Sequence, residues 1–242
     1  LRCGADGWRL DAAYSPGASV WEPILAPVRE RRPDTLVLGE VIHGDYGAIA
    51  DAGALDSVTA YELWKGIWSS LQTENFWELA HALTRHAEFS ASVVLNTFVG
   101  NHDVDRIASL VGEDRAPLAA VILFTVPGMP SVYYGDEQGF TGVRGEGYHA
   151  DFPIRPPLPA SPHDLLPQGA WLREIYSQLI GLRRRHPWLA RAHLEVTGKD
   201  NAWIDYRSAH EDAWVSVWLD LTPAPRVRIT CSDGEAWDWP RA

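Results

Sequence analysis

The hydrophobic period of this chain changes once, at about residue 187, and that change limits what it can fold into. Before it, short apolar runs of strand length alternate with longer stretches at helical spacing. The strand-like runs cover residues 7–10, 35–38, 58–61, 93–99 and 131–134, with helical stretches such as 20–31, 76–89 and 115–126 between them. This alternation predicts parallel strands joined by crossover helices. Over 171–185, Leu172, Ile175, Tyr176, Leu179 and Leu182 share one helical face, and His186-Pro187 ends the helix. Beyond Pro187 the period becomes two. Ala202, Ile204 and Tyr206 alternate with Trp203, Asp205 and Arg207; Val215, Val217, Leu219 and Leu221 alternate with Trp214, Ser216, Trp218 and Asp220; and Val227, Ile229 and Cys231 follow suit. A small antiparallel sheet is expected there. The expected division is a β/α domain over 1–187 and a β domain over 188–242, with the Pro-rich stretch 153–167 as a surface loop.

Charge and cysteine content narrow the partners. A formal charge of −11 disfavours nucleic acid and anionic membranes, whose phosphates would be repelled, and is compatible with a neutral substrate. Two cysteines, Cys3 and Cys231, are too few and too far apart to suggest a disulfide framework or a zinc site. No targeting peptide is legible from Leu1 onward, and the most apolar stretch, 117–126, is broken by Pro127-Gly128-Met129-Pro130. Twelve tryptophans favour carbohydrate, because flat apolar rings stack on sugar faces; core packing is the more ordinary use of any one of them.

Reactive groups in a parallel β/α architecture belong at the C-terminal ends of strands. Three expected strand ends carry acids: Asp11 after Gly7-Trp8-Arg9-Leu10, Glu40 after Leu36-Val37-Leu38-Gly39, and Asp103 after Val99-Gly100-Asn101-His102. Arg9 and Asp11 are two apart on a strand and point to the same side, where a guanidinium favours an ionised carboxylate. Taken singly, Asp11 reads equally as a helix cap, Glu40 as half an ion pair and Asp103 as a turn former. One site explains all three together. Glycoside cleavage uses such acids, with two carboxyl groups about 5–5.5 Å apart in a retaining enzyme.

These segments carry a resemblance. Ala5-Asp6-Gly7-Trp8-Arg9-Leu10-Asp11-Ala12-Ala13, Leu38-Gly39-Glu40-Val41 and Phe98-Val99-Gly100-Asn101-His102-Asp103 resemble three segments of the α-amylase family, in the family's order. A fourth, from Pro127-Gly128-Met129-Pro130 through Tyr133-Tyr134-Gly135-Asp136-Glu137, resembles its last barrel strand. The resemblance implies an α/β fold: about the last five β/α units of a TIM (β/α)8 barrel, followed by the small antiparallel β domain. It implies a retaining hydrolase cutting α-1,4-glucosidic bonds in maltooligosaccharides or related α-glucans, with a transglycosylase on the same substrates as the alternative. Asp11 would be the nucleophile, Glu40 the acid/base and Asp103 the third acid. Arg9 would hold Asp11 ionised, and His102 would help Asp103 grip sugar hydroxyls. Arg106 would bind a sugar or form a local salt bridge with Asp103 or Asp105. Asp136 and Glu137 read as structural polar groups.

The pattern also departs from the family. Where many members continue Ala-Ala-Lys-His, this chain has Ala12-Ala13-Tyr14-Ser15, which places Tyr14 at a sugar-contacting position. His43, three residues after Glu40, is similar to members acting on cyclodextrins and short maltooligosaccharides. Only six residues precede Gly7, so five of the family's eight strands are countable and its first motif is not among them. The expectation is a fragment of a longer barrel, or a barrel completed by a second polypeptide; an inactive truncation and a non-catalytic subunit stay open. An opened barrel has two exposed strand edges that invite self-association. No cofactor is implied, and the calcium ligands of many members belong largely to the uncounted N-terminal part. Localisation stays open.

Overall fold

Five short parallel strand segments lie side by side in chain order in the computed structural model, which describes residues 4–165 and 169–240. They are β1 (Gly7–Leu10), β2 (Leu36–Gly39), β3 (Ser57–Val58), β4 (Asn96–Thr97) and β5 (Met129–Pro130). β1 pairs with β2 in a register running from Gly7 opposite Leu36 to Leu10 opposite Gly39. β2 pairs with β3, a single parallel bridge from Thr59 to Asn96 leads on to β4, and β4 pairs with β5. The helices are α1 (Trp21–Arg31), α2 (Tyr46–Gly53), α3 (Tyr61–Thr73), α4 (Phe76–Ser90), α5 (Ile107–Val111), α6 (Ala116–Thr125) and α7 (Ala170–Arg185). Cys3 and the end of the Pro-rich stretch at Pro167 lie outside the described residues.

Helix α6 shows how the layers close. All ten of its residues are buried, so it carries no polar stripe, as expected of a helix covered on every side. Helices α3, α5 and α7 pack against it, and so does the C-terminal sheet through β8. That sheet consists of β6 (His193–Lys199), β7 (Trp203–His210), β8 (Ala213–Asp220), β9 (Arg226–Cys231) and β10 (Ala236–Trp239), paired antiparallel in the order β10-β9-β8-β7-β6. The period-two reading holds: Ile204, Tyr206, Val215, Val217, Leu219, Val227, Ile229 and Cys231 all face the core. Polar atoms at this seam are paired. Tyr206 Oη and Thr125 Oγ1 lie 2.7 Å apart, and Ser208 Oγ donates to Thr125 O at 2.7 Å.

Three strand expectations need correction, the first being the run 93–99, of which only Asn96–Thr97 forms a strand. Residues 131–134 form no strand; the strand sits two residues earlier, at Met129–Pro130. Gly128 sets that placement. Its φ is 120°, and a Cβ there would come within 2.6 Å of Leu95 O, so only glycine lets the chain close onto β4 at this point. Met129 N then donates to Leu95 O at 2.7 Å and Ser131 N to Thr97 O at 2.8 Å, after which the chain turns. The run 58–61 is likewise shorter than expected: β3 ends at Val58 and Tyr61 opens α3. Leu172, Ile175, Tyr176, Leu179 and Leu182 on α7 are buried as their spacing requires. The Pro-rich stretch is less open than expected, for it includes the short 3-10 turn Phe152–Ile154, whose Ile154 is fully buried.

One buried histidine couples this core to acid. His86 on α4 lies with Nε2 2.7 Å from Pro127 O, which requires the ring to donate. Burial holds it neutral, with a pKa lowered from 6.5 to about 4. The unfolded chain takes up this proton below pH 6.5. The contribution is therefore complete above pH 6.5 and is lost as pH falls towards 4, by up to roughly 3 kcal/mol. His86→Gln keeps a donor but cannot charge. Melting curves between pH 7 and 4.5 should show the parent losing more stability than the variant; parallel losses would place the acid sensitivity elsewhere.

Candidate active site

Because β1 and β2 are parallel and Leu10 lies opposite Gly39, the residues that follow them emerge together at one edge of the sheet. Those residues are Asp11 and Glu40. Glu40 N donates to Leu10 O and Ala13 N to Glu40 O, each at 2.9 Å, so the ladder runs on past the strand ends. Ala12 adopts a left-handed backbone, φ 42°, and its N–H donates to Glu40 Oε2 at 2.9 Å. Arg9 lies between the acids: Nη1 pairs with Asp11 Oδ1, and Nη2 lies 2.7 Å from Glu40 Oε1. The environments of the two acids differ sharply. The Asp11 side chain is 82% exposed, and that of Glu40 is 8% exposed.

The network continues from Glu40. Tyr61, at the start of α3, donates its hydroxyl to Glu40 Oε1 at 3.1 Å and accepts from Asn101 Nδ2 at 2.9 Å. Asn101 Oδ1 in turn accepts from Asp103 N at 2.8 Å. Burial raises the Tyr61 phenol well above its ordinary value, with the Glu40 charge adding to the shift and Asn101 opposing it, so Tyr61 remains a neutral donor. Beyond it, His102 Nε2 lies 3.2 Å from Asp103 Oδ2. Arg155 donates from Nη2 to Asp103 Oδ1 at 3.0 Å and from Nε to His102 O at 2.8 Å. A pocket of about 250 Å³ is lined by Arg9, Glu40, Tyr61, Asn101, His102 and Ser131, among others.

A second, more open cavity of about 370 Å³ has Asp103, Asp105 and Arg144 beside Trp64 and Trp68. The two indoles are 5.8 Å apart, and Trp64 stacks on Phe98 at 6.3 Å. Both indole Nε1 atoms are enclosed without a hydrogen-bond partner. Tyr14 and His43, expected in sugar contacts, meet each other with ring centroids 5.5 Å apart. Among the described residues, the one group of three metal-ligating side chains lies away from these acids, where the end of α7 meets β9.

Asp11, Glu40, Asp103, Arg9 and His102 therefore share one connected constellation. Asp11 caps no helix, since the next helical turn is capped by Gly17; Glu40 is indeed half of an ion pair, with Arg9. Arg106 is different. It is fully buried, so the sugar-binding expectation does not hold, and its partner is Asp136 at 2.9 Å rather than Asp103 or Asp105. It also donates to Ile154 O at 2.9 Å and Tyr134 O at 2.6 Å, and lies 4.1 Å from the Tyr133 ring centre. Burial pushes the Asp136 carboxyl upward, with Arg106 pulling it back. Gly100 has to be small, because a Cβ there would run into Asp136 Oδ2. Sequence reasoning missed Tyr61, Asn101 and Arg155 as site residues. Tyr61 was hidden by its place at the end of an apolar run and Arg155 by its Pro-rich surroundings, whereas Asn101 stood inside a recognised segment without a role.

Replacing Arg106 by Met should cost roughly 3–5 kcal/mol, because Asp136 is left buried and unpaired. Adding Asp136→Leu should recover much of that loss. Urea unfolding followed by Trp fluorescence measures both; a single-variant loss under about 1 kcal/mol would remove Arg106 from this structural role.

The family description "Alpha amylase, catalytic domain" matches residues 1–163. A maltogenic α-amylase of Bacillus acidopullulyticus is 31% identical over 227 residues, which cover 89% of this chain and 37% of that protein. Neopullulanase 2 of Thermoactinomyces vulgaris is 30% identical over 248 residues, covering 97% of this chain and 40% of that protein. Among solved structures, an α-amylase from H. orenii superposes with a TM-score of 0.77 at 22% identity, over 95% of this chain and 54% of that one. The chain thus spans about two-fifths of the length of these two curated relatives.

Proposed function

The chain belongs to the α-amylase family, and from that premise we propose that its acids carry out retaining cleavage of α-1,4-glucosidic bonds in maltooligosaccharides or related α-glucans. The observation that carries this reading is the continuous hydrogen-bonded line Asp11–Arg9–Glu40–Tyr61–Asn101–Asp103 across the strand ends. It supports a division of labour between a solvated attacking carboxylate and an enclosed proton carrier.

In the proposed reaction, Asp11 attacks the anomeric carbon while the bond from that carbon to the leaving sugar's oxygen breaks. Glu40, which must enter this step in its protonated form, gives its proton to that oxygen. Glu40 then takes a proton from water, whose oxygen bonds to the anomeric carbon as Asp11 departs. Two inversions restore the original configuration. Asp103 and His102 would hold hydroxyls of the sugar being cut, with Arg155 keeping both in place. Tyr14 and His43 would contact the neighbouring sugar. The chemistry needs carboxyl groups alone and no cofactor. The names of the relatives, maltogenic amylase, neopullulanase and α-amylase, support an α-glucan substrate. So does the tryptophan-lined cavity beside Asp103, which offers stacking surface for a further glucose unit.

We read the five parallel segments as the last five of a (β/α)8 barrel within residues 1–187, followed by a β domain over 188–242. Among the described residues, β1 and β5 each pair on one side only. The remaining strands would add at those edges, whichever polypeptide carries them. If none does, the edges favour self-association.

The test is chromophore release from a nitrophenyl maltooligosaccharide. The chain is assayed alone and together with a segment supplying the family's first three barrel strands. Turnover in either setting should vanish in Asp11→Asn and drop by roughly 10²–10⁴-fold in Glu40→Gln. A folded assembly without turnover would overturn the enzymatic reading in favour of a binding scaffold. Proton NMR of the first product distinguishes the chemistry: the α-anomer should appear first, and β-anomer first would exclude double displacement. Product analysis at high substrate separates hydrolysis from transfer to a second sugar. Trp64→Ala should raise KM for longer oligosaccharides roughly tenfold, about 1.4 kcal/mol, with kcat little changed. An unchanged KM would remove the second cavity from substrate binding.

A further inference from the structure

We propose that His186, Cys231 and Asp233 form a binding site for a divalent transition-metal ion of the zinc type, where the end of α7 meets the β9–β10 hairpin. His186 follows the last residue of α7 and is 5% exposed; Cys231 ends β9 and is 4% exposed. The imidazole Nε2, the Sγ and a carboxylate oxygen of Asp233 all lie within 4.8 Å of one another.

The imidazole is the informative member. Its Nε2 is enclosed and makes no hydrogen bond, although Asp233 Oδ2 faces it at 3.8 Å and Glu235 Oε2 at 3.4 Å. A buried ring nitrogen that meets carboxylate oxygens only at 3.4 and 3.8 Å is poorly satisfied, and a metal ion between them would satisfy it. The hairpin fixes the other ligands. Asp233 Oδ1 accepts from Glu235 N at 2.9 Å, which leaves Oδ2 turned to the imidazole, and Gly234 supplies the positive φ, 90°, that the turn requires. Glu235 itself is held at both oxygens by Arg185, so water is the better fourth ligand.

Size and charge both fit. Zinc bonds of about 2.0–2.3 Å in a tetrahedron separate ligand atoms by roughly 3.3–3.8 Å, so three groups within 4.8 Å of one another need to close by up to about 1.5 Å. A thiolate and a carboxylate neutralise a dication. The mixed nitrogen, sulfur and oxygen donor set suits zinc, and cobalt in its place, while magnesium and calcium prefer oxygen alone. The spacing of Cys3 and Cys231 gave no sign of such a site because its ligands come from two elements that only the fold brings together. Bound metal would tie the last helix to the C-terminal sheet and stabilise the native state by mass action.

Titration of the metal-free chain with cobalt(II) and zinc(II) tests this. Cobalt should give one equivalent of binding, a thiolate-to-metal absorption band and the visible bands of a tetrahedral ion. Zinc at a hundredfold excess over its Kd should raise Tm by roughly 5 °C. Cys231→Ser should lose the thiolate band, and Asp233→Asn, a substitution in an exposed turn, should weaken binding at least about tenfold. Cys3→Ser should change neither. No saturable binding by the folded parent would overturn the site. So would a thiolate band that survives Cys231→Ser, or equal affinity for magnesium.

Discussion

One guanidinium between two carboxylates is the interaction on which the candidate site depends. Asp11 and Glu40 are delivered to the same sheet edge by the parallel register of β1 and β2, and two acids so close repel each other unless a cation intervenes. Arg9 can be that cation because it lies on β1, two residues before Asp11, and its guanidinium reaches both carboxylates. The arrangement is therefore fixed by backbone pairing rather than by a mobile loop. Glu40 is further held by a backbone N–H from the neighbouring strand end and by a neutral phenol from the next helix, so little of its position is left to chance.

A second cation, Arg106, serves the same site without touching it. Its buried guanidinium binds the carbonyl of Ile154, and the next residue, Arg155, is the one that holds Asp103 and His102. The buried pair with Asp136 thus anchors a loop whose useful side chain lies one residue beyond the anchor. Asp136 also lies against Gly100, in the segment that leads to Asp103, so the third acid is braced from two directions.

The features legible in the sequence are those that follow from local periodicity or from short segments. The alternation in Val215–Leu219 and the buried face of α7 needed no partner to be recognised, and the acids at Asp11 and Glu40 stand beside strands of clear pattern. What escaped depended on distant atoms. Nothing near Arg106 in the chain shows that its partner is thirty residues away, and β5 begins at Met129 because of Leu95, not because of any propensity in the run that follows. Tyr61 looked like the end of a strand, since an apolar run cannot show where pairing stops and a helix begins.

Helix α6 has a consequence for how the chain evolves and folds. It has no solvent face, and it is walled on one side by helices and on another by the C-terminal sheet through β8. The boundary near residue 187 that is visible along the chain is therefore not a seam in the interior. The sheet is not a detachable appendage, because removing it would strip cover from the most apolar helix in the protein. The two parts should melt as one cooperative unit, and a lineage could not exchange the sheet for another module without also rewriting α6.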